Sequence, residues 1–228
     1  YAFDALLSWS RRGVWRLGFG PLPIVLSTNV FIWFKDDWFY FQFAMVALGA
    51  IGKEFIKWER NGRKTHIFNP SAFTLAVVSM ILIATDTTNL TWAGRIADTL
   101  SRPPHIYLEI FLLGLVVQFF FSVTLMTVSA AVTLCLLSLV YTQMTGDYYF
   151  RFSNLPAPIF LGFHLLVTDP STSPRTNVGK ILFGSLYASA SFAFSGILDH
   201  YGVSTVYDKL LPNPVLNLTV RFFRPFGK

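Results

Sequence analysis

Cysteine is almost missing from this chain. Cys135 stands alone inside an apolar run, which excludes a disulfide within the chain and any cluster held by thiolates. The short motifs of soluble enzymes are missing too. There is no Gly-x-Gly-x-x-Gly, no Walker A loop, no His-Glu-x-x-His, no Gly-x-Ser-x-Gly and no Cys-x-x-Cys. Charge is scarce: 13% of residues are charged, against roughly 25% in ordinary soluble domains. The strict alternation of a membrane β-barrel is also absent. No cleavable signal is visible, and the start at Tyr1 predicts residues ahead of it.

What fills the chain is apolar. Of its 228 residues, 53% are hydrophobic and 24 are Phe, and several apolar runs reach spanning length. This predicts an all-α polytopic membrane protein with the lipid bilayer as its main partner. Tyr1–Arg16 reads as an amphipathic lead, residues 17–198 as one membrane domain, and 199–228 as a polar, basic tail. Seven apolar segments are expected: Leu17–Phe34, Trp38–Ile56, Pro70–Thr88, His105–Phe121, Val123–Gln143, Pro156–Thr168 and Val178–Leu198. The turn near Ser122 must be tight. Pro156–Thr168 reaches only roughly 20 Å against a core of roughly 30 Å, which suits a re-entrant half-helix.

The net charge of +6 does not point to nucleic acid, because the cations sit in loops beside apolar spans. Lys57–His66 reads as a polar loop next to the densest basic cluster. With the N-terminus inside and all seven segments crossing, ten cations lie inside and four outside before the tail. That bias makes the N-terminus and residues 57–66 cytoplasmic. A re-entrant Pro156–Thr168 would change the sides of the later loops.

Two breaks interrupt the apolar pattern. Asn69-Pro70-Ser71 and Asp169-Pro170-Ser171 share the form polar-Pro-Ser and lie 100 residues apart. Proline forbids a continuous helix, so the freed backbone groups need side chains, water or a ligand. Paired breaks in corresponding halves predict an internal repeat with a site near the bilayer midplane. A capped surface loop is the plainer alternative for the second break. Glu54, Asp86, Glu109, His164 and Asp169 are the ionisable groups in or beside apolar segments. Pairing with cations competes with function at Glu54. Interfacial placement explains Asp86 and Glu109, and packing explains His164. Asn89-Leu90-Thr91 and Asn217-Leu218-Thr219 are sequons by pattern only.

Gly52-Lys53-Glu54 closes a span and is followed by His66-Ile67-Phe68-Asn69-Pro70-Ser71-Ala72. Later come Val167-Thr168-Asp169-Pro170-Ser171-Thr172-Ser173-Pro174-Arg175-Thr176-Asn177-Val178-Gly179-Lys180 and Phe183-Gly184. In this order they resemble the D subunit of Rnf electron-transport complexes and the B subunit of the sodium-pumping NADH:quinone oxidoreductase. A membrane branch tied to enediyne biosynthesis clusters is similar. The resemblance spans about Trp38 to Leu198. It implies two inverted five-helix repeats of the urea-transporter type, a bacterial inner membrane and partner subunits in a larger complex. The chain is shorter than typical members, so front helices are missing or lost.

The family also implies a flavin joined through phosphate to a threonine in Asp-x-x-Ser-Gly-Ala-Thr-Pro. The corresponding loop, Asp98-Thr99-Leu100-Ser101-Arg102-Pro103-Pro104, keeps the aspartate and serine. Pro104 has no hydroxyl and cannot form the ester, so covalent FMN is not expected, and flavin or quinone would be held without a bond. By the resemblance, Asn69, Arg102, Asp169, Thr176 and Lys180 are candidate cofactor contacts, and Glu54, Asn69 and Asp169 candidates for an ion or solute path. No catalytic residue and no metal site is assigned. Three readings stay open: an electron-transfer subunit, a redox-inactive structural subunit, and a channel or transporter.

Overall fold

The computed structural model describes all residues except 16–17, 61, 100–103, 150–158, 160, 221 and 223–228. Helix accounts for 72% of it. Helix α1 (Ala2–Arg12) buries Ala5 and Ser8 and ends at Gly13, whose φ of 68° lets its N–H reach Trp9 O. Arg11 and Arg12 sit in the last turn, where cations suit the helix dipole. Helix α2 (Leu22–Phe31) starts at two prolines and stops when Ile32 turns extended. The expected span Leu17–Phe34 is therefore shortened. Pro21 and Pro23 fix its start, and the chain leaves it to bridge Phe34 with Thr91. Gln42 holds that exit, its Oε1 accepting from Phe34 N at 3.2 Å and its Nε2 donating to Ile32 O at 3.1 Å.

Helix α3 (Tyr40–Phe55) leads into a hairpin, β1 (Lys57–Arg60) and β2 (Arg63–His66), with Lys57 opposite His66. The expected polar loop over 57–66 is thus an antiparallel ribbon. The signal was present: Asn61-Gly62 is the dipeptide a two-residue turn prefers, and Gly62 has φ 73°. Helix α4 (Pro70–Ala84) follows. Helix α5 (Ala93–Thr99) lies in the stretch 89–104 that reads as loop. Helices α6 (Pro104–Phe121) and α7 (Thr124–Thr145) meet at Ser122, whose φ of 53° makes the tight turn. A π-turn (Gly162–Leu166) precedes the second break, inside the expected half-helix segment Pro156–Thr168, of which residues 156–158 and 160 lie outside the described residues. Helix α8 (Asn177–His200) is capped by Thr176, and α9 (Pro212–Thr219) closes the fold.

Residues 199–220, read as tail, return into the core. Tyr207, Leu210, Asn213, Leu216, Asn217 and Val220 are buried, and α9 packs against α4 and α8. Two apolar clusters flank the π-turn. Leu161 and Leu166 join Phe31, Leu75, Leu82 and Tyr207, whereas Phe163 and Val167 join Met126, Phe183, Tyr187 and Leu216. Seven spans were expected. Among the described residues, only α7 and α8 are both long and apolar enough to cross a membrane. Leu22–Phe31, Pro70–Ala84 and Leu108–Phe121 are shorter apolar helices.

Candidate functional site: the joint between the two prolyl breaks

Pro70 cannot donate, and it is pre-set for the first turn of α4. Asn69 completes that start. Its Oδ1 accepts from Ser71 N at 3.0 Å and Ala72 N at 3.3 Å, a side-chain N-cap of the usual kind. Its Nδ2 donates to Leu166 O at 3.1 Å, and its backbone N donates to Asn217 Oδ1 at 3.0 Å. Asn213 Nδ2 reaches the same Leu166 carbonyl at 2.5 Å. Two asparagines from distant parts of the chain, Asn69 and Asn213, therefore converge on the Leu166 carbonyl, and a third, Asn217, holds the backbone of Asn69. Asn217, a sequon by pattern, is buried and works as an acceptor here.

The second break is organised by Asp169. Its Oδ1 accepts from Ser171 N at 3.0 Å and Ser171 Oγ at 2.7 Å, and its Oδ2 accepts from Thr172 Oγ1 at 3.1 Å. His66, at the end of β2, places Nε2 at 2.7 Å from Ser171 Oγ and 3.6 Å from Asp169 Oδ2. Because the Ser171 hydroxyl donates to Asp169, its oxygen accepts from His66, and that puts a proton on Nε2. Burial pushes the Asp169 carboxyl up. Hydrogen bonds from His66 and Ser171 outweigh it and hold the group below its usual range. The two breaks thus touch twice, through Asn69 and Leu166 and through His66 and Asp169.

Four carbonyls around this break have hydroxyl donors. Phe163 O accepts from Thr127 Oγ1, His164 O from Thr168 Oγ1, Val167 O from Ser173 Oγ, and Asp169 O from Ser173 Oγ. The apolar stretch carries so many hydroxyls because they replace the missing helix ladder. Asn213 Oδ1 is buried with no hydrogen bond among the described residues, which leaves one acceptor at the joint open.

The other expected residues lie apart. Glu54 pairs with Arg12 at 3.0 Å and Lys57 at 3.1 Å. It lines a cleft of about 440 Å³ that His66 also borders. Thr176 accepts from Gly179 N at 3.1 Å as the cap of α8, and Lys180 Nζ donates to Ser122 O at 2.8 Å. Arg102 lies outside the described residues. Asp86 and Glu109 are exposed. His164 is buried, stacks on Phe111, and bonds Gln118 and Phe111 O, as a packing histidine does. No family model, no curated protein and no solved structure matches the chain.

Proposed function

We propose that the chain is a membrane subunit of an electron-transport-type assembly, resembling the D subunit of Rnf complexes and the B subunit of the sodium-pumping NADH:quinone oxidoreductase, with no covalently joined FMN. One observation carries the reading. Two of the three motifs that the resemblance rests on, with their Asn-Pro and Asp-Pro breaks 100 residues apart, form a single joint, as inverted repeats with broken helices require. The lipid setting is supported by α7, an apolar helix of 22 residues with only 17% of its apolar window buried. Its exposed Val132, Leu136 and Leu139 and the exposed Leu113, Phe119 and Phe120 of α6 present far more apolar surface than a lone soluble chain tolerates. Flavin or quinone, if held, is held without a bond. Orientation follows Glu54, which ties Arg12 of α1 to Lys57 of the hairpin and so keeps both basic segments on one side, the cytoplasmic one.

The carbonyl accounting favours a packed joint over a solute path, since a cation at the second break would find those oxygens already occupied. The test is to wash membranes with alkaline carbonate, extract the chain in mild detergent, and record its partners and visible spectrum. The reading expects the chain in the membrane fraction, with partner subunits and a flavin absorbance that acid precipitation removes from it. A membrane chain that purifies alone and colourless, and that supports a solute flux in liposomes lost on Asp169→Ala, would favour a transporter instead.

A further inference from the structure

The cleft beside Glu54 meets the joint at His66, and its other walls have a different chemistry. It is formed by α1, the end of α3 and the hairpin. Four cations line it, Arg12, Lys53, Lys57 and Lys64, against two carboxylates, Asp4 and Glu54. Glu54 is already shared between Arg12 and Lys57. Lys53 and Lys64 meet no carboxylate within ion-pair distance among the described residues, so the cleft keeps an unbalanced positive field. Thr65 lies on the same wall with its Oγ1 buried. Gly20 keeps the wall open, because a Cβ there would lie 3.2 Å from Lys53 Nζ.

The face of α1 turned away from the cleft is apolar and exposed, through Phe3, Leu6 and Trp9, and Phe19 and Phe55 are exposed as well. Trp9 stacks on Trp15 with ring centroids 5.5 Å apart. An amphipathic helix with aromatic anchors over a cationic hollow matches the boundary between acyl chains and headgroups. Ammonium groups match the oxygens of a phosphate. We propose that this cleft binds the phosphate of an anionic phospholipid headgroup at the membrane surface on which α1 lies. The proposal rests on the membrane setting proposed above, and not on any redox role.

Native mass spectrometry of the detergent-purified chain tests it, with phosphatidylglycerol or phosphatidylcholine added. The expected result is retention of phosphatidylglycerol over phosphatidylcholine by about thirtyfold, the scale of two nearby lysines at a membrane surface. The double variant Lys53→Gln/Lys64→Gln loses that preference at an unchanged melting temperature. Asp4→Asn, which removes an opposing carboxylate, strengthens it. Equal retention of the two lipids by a chain that stays in carbonate-washed membranes would overturn the headgroup site and leave the membrane reading intact. Displacement of phosphatidylglycerol by an equal concentration of inorganic phosphate would assign the cleft to free phosphate and overturn the lipid assignment. Release of the chain by carbonate would overturn the membrane reading itself, and this proposal with it.

Discussion

Asn69 does two jobs that a substitution can separate. Asn69→Asp keeps the acceptor that caps α4 but loses the donor to Leu166 O and sets a carboxylate against that carbonyl. The expected cost is about 1–3 kcal/mol, read as a lower melting temperature in detergent; an unchanged melt would mean that the bridge contributes nothing. Asp169 gives a pH signature. Its carboxyl is held below the usual value in the folded chain, so its stabilisation is complete above the unfolded value near about pH 4 and fades as pH falls through the lower folded value. In Asp169→Asn that term is gone. The melting temperatures of the two proteins should differ most at neutral pH and converge in acid; a constant gap across that range would contradict the assignment. Asn69 and Asp169 were both legible in the sequence, because proline after a polar residue marks a break. Asn213 and Asn217 were not, since their partners lie 47 and 148 residues away and no local pattern encodes such a pairing.

At the level of elements, α7 and α8 pack closest at Gly184. A Cβ there would stand 2.3 Å from both Met126 O and Ser129 Oγ. Gly184→Val should push the helices apart and cost about 1–3 kcal/mol by overpacking, whereas Ser189→Val on an exposed part of α8 should cost little; equal melts for both would place the contact elsewhere. Long elements were the most legible. The spans at 105–121, 123–143 and 178–198 appear as α6, α7 and α8 with ends moved by a few residues. Short ones were hidden. The hairpin at 57–66 reads as a loop because its charges mask its alternation, and α2 reads as a full span because apolarity alone does not reveal where a helix stops. Ile32 and Phe34 stay apolar and buried after the helix has ended.

At the scale of the molecule, the least legible feature was the return of residues 199–220 to the core. Asp208 and Lys209 read as marks of a solvated tail. They instead lie paired at 2.9 Å with side-chain exposures of 1% and 3%, where burial pushes the Asp208 carboxyl up against the pull of the Lys209 ammonium, and Tyr187 Oη donates to the Lys209 carbonyl at 2.6 Å. Removing one partner strands the other, so Lys209→Met should cost about 3–5 kcal/mol, and Asp208→Asn with Lys209→Met should recover most of it. Thermal melts of the single and double variants read this directly; no recovery would show that the pair does not act as a unit. With that return, α9 brings Asn213 and Asn217 beneath α4, and the two prolyl breaks become one joint.

A double-mutant cycle between His66 and Asp169 reaches that joint most directly. His66→Ala, Asp169→Asn and their combination are melted or denatured in the same detergent, and the stabilities compared. A joint in contact gives a coupling of about 0.5–3 kcal/mol between these residues. Additivity within about 0.3 kcal/mol would mean that the breaks do not meet, and the shared site they are taken to form would go with them.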